Sequence, residues 1–479
     1  MDRYLLTATV RRDGSSRFGA NKKWGVFPAV SAGWKISEES FLKDIDWVSL
    51  LKIRAAWGKA GNDRSLGNYD YIPTTASAAA VWNHALAAGY IPARLKNDYL
   101  QWESNNTFDV GFDFSVLKNR VQFNFDYYVN TTESLLYDVP VPSTTGFDNF
   151  KSNMGKVENR GWEIDLTTYN ITGAFNWSTS LNLSRNRNKV LSMGDDNSPI
   201  YESTWDGRFI TKVGGPICQY YVYRTDGLLT ENDYRTDSGT GALVPLVPVF
   251  SGQEPYTVKY VDQWTEDPDN PGNMLAPDGK IDANDLIAWG NNLPDLMYGI
   301  TNRFSYKGFD LSILLQGQFG GHLMFLGQRQ IDNGSIGTRT MQRWLHSYKP
   351  DYSKSYPGRG DPIPYELGVD MSWDGKTPYL FGSNRWQNND DRRIYSTTFL
   401  KIKNITLAYN LPKSVTEKIA MKGARIYFSV DNLKNWNNYP GATPEANTPT
   451  EGTKPTRYGI DYITYPVSKR FVVGVNVNF

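Results

Sequence analysis

The chain closes on KRFVVGVNVNF, residues Lys469–Phe479. Phe471, Val473, Val475, Val477 and Phe479 fall at every second position, opposite Arg470, Gly474, Asn476 and Asn478, with Val472 the one apolar residue out of phase. Side chains of a strand alternate between its faces, so this period of two predicts a strand with one apolar face. Terminal residues are commonly loose and polar, so an aromatic end to an amphipathic strand calls for a cause.

The same alternation recurs along the chain. Phe108, Val110, Phe112, Phe114 and Val116 oppose Asp109, Gly111, Asp113 and Ser115, and Val121, Phe123, Phe125, Tyr127 and Val129 oppose Gln122, Asn124 and Asp126. GWEIDLTT, FNWSTSLNLS, FDLSILLQG and ARIYFSVDN repeat it, and FLKIKNITLAYNLP does so with a change of phase near Asn404 that predicts a bulge. Roughly twelve such strands are counted, each about 8–12 residues long, the length a tilted strand needs to cross a bilayer. Trp162, Trp177, Phe123 and Phe125 fall on the faces expected to meet lipid.

The connections alternate as well. LKNR (Leu117–Arg120), NITG (Asn170–Gly173) and YKGF (Tyr306–Phe309) read as tight turns, whereas residues 60–105, 130–157, 185–296, 318–397 and 433–469 read as long polar loops. Long loops on one side and short turns on the other describe a transmembrane β-barrel, with the short turns periplasmic and the long loops extracellular. The expected class is therefore all-β, an antiparallel outer-membrane barrel. A soluble β protein stays open as the alternative.

Composition agrees with this class. Across 479 residues, 51 basic and 50 acidic side chains leave a net charge of +1, so no bulk electrostatic case for nucleic acid exists. Aromatic residues reach 14%, with 15 Trp and 30 Tyr, while the three histidines (His84, His322, His346) and the lone Cys218 speak against a catalytic or metal cluster and exclude an internal disulfide. Mean hydropathy is −0.51 and no apolar run approaches the ~18 residues of a transmembrane helix. MDRYLLTATVRRDG carries no signal-peptide pattern and reads as the interior of a strand.

Several longer stretches resemble the SusC/RagA-type branch of TonB-dependent outer-membrane transporters: RRDGSSRFG (Arg11–Gly19), WGVFPAVSAGWKISEESF, LLKIRAAWGKAGN, WESNNTFDVGFDFSVLKNRVQFNFDYYVNTTESLL, GKVENRGWEIDL, FLKIKNITLAYNLP, IYFSVDNLKNW and PGATPEA. They keep the family's order from first residue to last. The resemblance implies a 22-stranded barrel with a plugged lumen, of which residues 1–479 would be the C-terminal twelve strands. The signal peptide, N-terminal domain, TonB box and plug would lie ahead of Met1. It also implies TonB-driven import of glycans, or in some members peptides, beneath a SusD-like surface lipoprotein, and it makes Phe479 a signal to the barrel-assembly machinery. It implies no enzyme. A passive porin-like barrel and a secreted β-rich glycan-binding module or hydrolase remain the rival expectations.

Individual residues are less decisive. APDGKIDANDL (Ala276–Leu286) offers Asp278, Asp282 and Asp285 with the Lys280 carbonyl, part of what a calcium loop requires. It lacks the full EF-hand pattern, and where relatives carry a related NGDGxID segment the approach is here interrupted by DPDNPGNML. A structural turn and a structural Ca2+ site are both open, and no other cofactor is expected. Trp82, Trp205, Trp264, Trp344, Trp373, Trp386 and Trp436 fall in the expected loops and are the candidates for stacking on substrate, against a plain packing role. In RRDGSSRFG, Asp13–Gly14 reads as a tight turn flanked by solvated or paired arginines. Asp195–Asp196 and Asp390–Asp391 read as solvated loop charge, not glycosidase carboxylates, because adjacent residues cannot flank a scissile bond. Cys218 reads as a small packed residue.

Overall fold

The computed structural model describes residues 3–19, 21–82, 84–141, 143–147, 149–194, 197–203, 208–253, 255–267, 273–328, 375–376, 389–419, 421–446 and 458–479. Twelve long strands form one antiparallel sheet in chain order: β1 (Tyr4–Gly14), β2 (Trp24–Lys35), β3 (Val48–Asn62), β4 (Glu103–Val116), β5 (Val121–Pro140), β6 (Asn149–Ile171), β7 (Phe175–Met193), β8 (Leu296–Tyr306), β9 (Phe309–Phe319), β10 (Phe399–Asn410), β11 (Gly423–Asn437) and β12 (Arg470–Asn478). Each strand pairs with its neighbours in sequence, and among the described residues β1 and β12 form the two open edges.

The turns follow from local backbone chemistry. Lys307 and Gly308 both adopt positive φ (46° and 87°), the two-residue turn whose twist matches its flanking strands. Leu117, Lys118 and Asn119 also have positive φ, between 54° and 65°, and Leu117 N bonds back to the Trp47 carbonyl at 2.8 Å. These turns, with the described residues of 36–47, 172–174 and 411–422, lie at one end of the sheet. The described residues of 15–23, 63–102, 141–148, 194–295, 320–398 and 438–469 lie at the other. The one-sided distribution of long loops is as expected.

Two local expectations need correction. Residues 130–157 are mostly strand: β5 and β6 stay paired up to Pro140–Asn149, so this loop is a tall hairpin. At 20 and 23 residues, β5 and β6 are about twice the ~9–11 residues that cross a bilayer. Asp13–Gly14 is not a turn but the end of β1, paired with Gly25 and Trp24. The turn that follows is pinned inward by Phe18, fully buried against Leu66 and Leu100. Ser15 Oγ also donates to Asp63 at 2.6 Å. The bulge near Asn404 is present: register between β9 and β10 shifts between Leu314 and Leu315, which pair with Asn404 and Ile402 and leave Lys403 as the extra residue.

Register sorts the two faces. Ile53, Phe112, Phe125, Ile164 and Leu183 are cross-strand neighbours on one face from β3 to β7. Phe112 and Phe125 lie 5.7 Å apart, and Trp177 stacks on Phe304 at 5.8 Å. On the edge strand β12, Phe471, Val473 and Val475 are 62%, 74% and 59% exposed. An apolar belt of this kind meets hydrocarbon, and its polar reverse lines the lumen.

Candidate functional site

The lumen face of β3 to β7 is a ladder of charges. Arg54 lies opposite Gly111, where an added Cβ would come within 2.9 Å of the guanidinium carbon and 2.6 Å of the Phe125 carbonyl. The missing side chain lets Arg54 reach across. Its Nε donates to Asp113 at 3.1 Å, its Nη2 donates to Asp126 at 2.6 Å, and Asp109 lies 3.6 Å away. Lys52 Nζ donates to Asp113 at 3.1 Å. Further round, Glu163 and Asp165 with Asn182 and Gln316 border a recess of about 470 Å³. Glu445, from the loop after β11, reaches the same recess and accepts two 2.6 Å bonds from Lys401 Nζ.

Beyond the belt, three connections fold together into one cap. Phe209, Cys218, Tyr220 and Val222 come from the loop between β7 and β8. They pack on Met324, Leu326 and Ile394 from the next long loop, and on Ile460 from the last. The fully buried Tyr220 hydroxyl lies 2.7 Å from the Gly459 carbonyl and 2.9 Å from that of His322. Burial pushes the Cys218 thiol up to about 12, and Tyr458 N donates to its sulfur at 3.3 Å, so Cys218 is a packed residue as expected. His322 packs against Trp289 with ring centroids 4.9 Å apart, and burial lowers its pKa. A second core joins Tyr223, Phe250 and Tyr260 edge to face.

The predicted site residues fare unevenly. Trp436 is not a loop residue: it lies in β11 opposite Leu400, on the apolar face with Phe428 and Val430, where it serves the aromatic girdle. Trp82 ends a hairpin strand, Thr74–Trp82, and is 78% exposed. Trp264 lines a groove in the cap beside Tyr201, Tyr221 and Met274. Trp205, Trp344, Trp373 and Trp386 lie outside the described residues, as do His346 and Asp195–Asp196. Asp390 is fully buried in an ion pair with Arg392, and Asp391 accepts from Arg224 Nε at 2.9 Å and Thr225 Oγ1 at 2.6 Å. Both correct the expectation of solvated charge. The pairing was invisible in sequence because Arg224 lies 167 residues away.

The Asp278–Asp285 stretch is a capped turn. Asp282 accepts from Asn284 N at 2.8 Å, Asp285 from Asp282 N at 2.8 Å and Asp278 from Lys280 N at 2.9 Å. Burial raises the Asp285 pKa. Among the described residues no group of three or more His, Cys, Asp or Glu side chains is placed to hold a metal ion.

Comparison with known proteins decides what this architecture is. Residues 1–433 match the family described as TonB dependent receptor-like, beta-barrel. The chain belongs to the TonB-dependent receptor β-barrel family. It is 30% identical over 490 residues to TonB-dependent receptor P3 of Formosa agariphila, covering 100% of this chain and 44% of that protein. It is 28% identical over 493 residues to TonB-dependent receptor SusC of Bacteroides thetaiotaomicron, covering 100% and 42%. The fold is shared with solved structures of the RagAB peptide transporter (TM-score 0.72, 22% identity, 99% of this chain and 46% of that one) and of the RagAB peptide importer in its open-open state (0.74, 22%, 100% and 45%). This chain thus spans less than half the length of these relatives. They are receptors, not enzymes, and this TonB-dependent receptor barrel is an outer-membrane chain. Among the described residues no helix is long and apolar enough to cross a membrane.

Proposed function

We propose that the full-length protein is an energised outer-membrane importer of large nutrients, oligosaccharides first and peptides second, to which this chain gives the C-terminal part of the barrel. The observation that carries the reading is the sheet itself: twelve strands, open at β1 and β12, with every long connection at one end. An unpaired strand edge in hydrocarbon is prohibitively costly, which supports further strands closing the barrel. A plugged barrel of 22 strands leaves about ten to be supplied from elsewhere in the protein, together with a plug.

The packed cap supports the partner assignment. Loops tied into one body offer the fixed surface that a SusD-like lipoprotein would close upon. The polar lumen wall at Arg54 and Glu163 is the surface that the plug would meet. TonB would act through the plug, in keeping with the family to which the barrel belongs.

Deletion of the gene in its own host tests the reading. We expect loss of growth on one class of oligosaccharide as sole carbon source, loss of the same growth without TonB, and co-purification of a surface lipoprotein with the full-length receptor. Unchanged growth of the deletion strain on all oligosaccharides and peptides offered, or uptake that persists without TonB, would sink it.

A further inference from the structure

The loop between β7 and β8 contains a four-stranded antiparallel sheet, Ile200–Ser203, Arg208–Thr211, Gln219–Val222 and Ile287–Asn291. One face, with Phe209, Tyr220 and Val222, is the core of the cap. The other carries Tyr201 and Tyr221, whose ring centroids lie 5.4 Å apart at 52°. A short hairpin, Thr265–Glu266 paired with Met274–Leu275, stands beside that second face. Together they enclose a groove of about 200 Å³, also lined by Trp264, Lys212 and Asp267.

Three large side chains of the groove face water: Trp264 is 60% exposed, Met274 55% and Tyr201 51%. Clustered apolar exposure of this kind marks an interaction site more often than a packing fault. Trp264 is also held from behind. Gln263 N donates to Asp285 Oδ1 at 3.3 Å and Gln263 Nε2 to the Asp285 carbonyl at 3.2 Å. Asp285 is in turn fixed by the capped turn at Asp282. The aspartate-rich stretch therefore braces the segment that carries the exposed indole.

The chemistry of the groove selects its occupant. Aromatic faces pack on flat C–H surfaces, and an ammonium and a carboxylate at the same groove can bond hydroxyls. A pyranose offers both within one ring. Tyr201, Tyr221 and Trp264 supply three ring faces to the groove, set among the aliphatic Ile210, Met274 and Leu286. We propose that this groove is a sugar-binding subsite of the cap, with Trp264 and Tyr201 stacking on one pyranose unit of an oligosaccharide and Lys212 and Asp267 bonding its hydroxyls. The proposal rests on the reading of the full-length protein as a glycan importer.

The test uses the full-length receptor in detergent micelles, with Trp264→Ala, Trp264→Phe and Tyr201→Ala variants. The probes are an array of plant, algal and host oligosaccharides and a tryptic peptide pool. We expect the wild type to retain at least one oligosaccharide, Trp264→Ala to bind it about tenfold more weakly and Trp264→Phe to recover most of the loss, as ring stacking requires. Unchanged heat-modifiable mobility on gels establishes that the variants fold. If Trp264→Ala fails to fold, Tyr201→Ala and quenching of wild-type tryptophan fluorescence by the retained oligosaccharide supply the same reading. Equal retention by Trp264→Ala and wild type overturns the subsite and leaves the importer standing. Retention of peptides alone, lost in Trp264→Ala, overturns the sugar assignment. Retention of neither overturns the subsite, while growth of the deletion strain judges the importer separately.

Discussion

Replacing Tyr220 by Phe isolates the bond that ties three loops into one cap. The ring is fully buried, so its packing on Phe209, 5.8 Å away, is kept while the hydroxyl is lost. Both carbonyls keep a second donor, Asn292 Nδ2 at 2.9 Å for His322 and Met324 N at 3.0 Å for Gly459, so the loss is that of the tyrosine bond alone. Losing one intramolecular hydrogen bond while both acceptors keep a donor costs about 0.5–1.5 kcal/mol. The cost falls on cap opening rather than on the barrel, whose strand ladder is untouched. Amide hydrogen exchange of the full-length receptor reads that opening directly. At about 1 kcal/mol, residues 322–326 and 458–461 should exchange roughly 5-fold faster, with β5 to β7 unchanged. A second change attacks the same contact from the other side. Gly459 has φ of 82°, and an added Cβ would lie 2.6 Å from the Tyr220 hydroxyl, so Gly459→Ala should open the same segments further. If Tyr220→Phe leaves both segments as protected as in the wild type, the cap is not held by this bond and the reasoning fails.

Arg54→Met removes the lumen cation shared by Asp113 and Asp126, groups only 19–30% exposed at the side chain. The urea midpoint of the full-length receptor should fall by the equivalent of about 2 kcal/mol, between the surface and buried limits for ion pairs. Adding Asp126→Asn should restore part of it, and an unchanged midpoint in Arg54→Met would count against the network. His322 is held below its ordinary pKa by burial, so the unfolded cap takes up its proton first as pH falls. The stability it contributes is present above the ordinary pKa of about 6.5 and is lost below it. Protection of the cap amides, taken relative to their intrinsic exchange rates at each pH, should therefore fall from pH 7.5 to 5.5, and less so in His322→Asn. Phe479 is 78% exposed at the end of β12, so no packing lost within the sheet explains a defect on removing it. Deletion of Phe479 should lower the folded receptor in outer-membrane fractions, scored by heat-modifiable mobility, without lowering synthesis. Because the carboxylates of Asp278, Asp282 and Asp285 already accept backbone amides, millimolar calcium should leave exchange across residues 262–285 unchanged.

The barrel was legible in sequence because lipid on one side and a polar lumen on the other impose a period of two, which no distant contact is needed to reveal. Even the Lys403 bulge announced itself as a break in phase. The strand ends were harder to place. Residues 130–157 looked like loop because register shifts between Thr132 and Leu136 set the packed Leu135 and Leu136 side by side, and the alternation that marks a strand is broken while the ladder continues. Trp436 was misplaced for a related reason: the polar run KNWNN around it masks a strand position at the rim of the belt.

The cap was illegible for a stronger reason. Its core joins Tyr220 to Gly459 across 239 residues and Arg224 to Asp391 across 167, and no local pattern encodes pairings of that span. Such contacts carry a large cost in loop closure, which grows only slowly with length. Long connections are therefore tolerable if enough apolar surface is buried at their far ends, and the clusters around Tyr220 and Tyr223 bury it. The aspartate-rich turn illustrates the consequence. Read alone, Asp278, Asp282 and Asp285 suggest a cation. Placed in the cap, they saturate backbone amides and hold Gln263, and through it the neighbour of Trp264, against the sheet that carries Tyr201 and Tyr221. Acidic residues gathered at a glycine turn thus fit a brace for an exposed aromatic as well as they fit a metal. The difference lies in where their lone pairs already point.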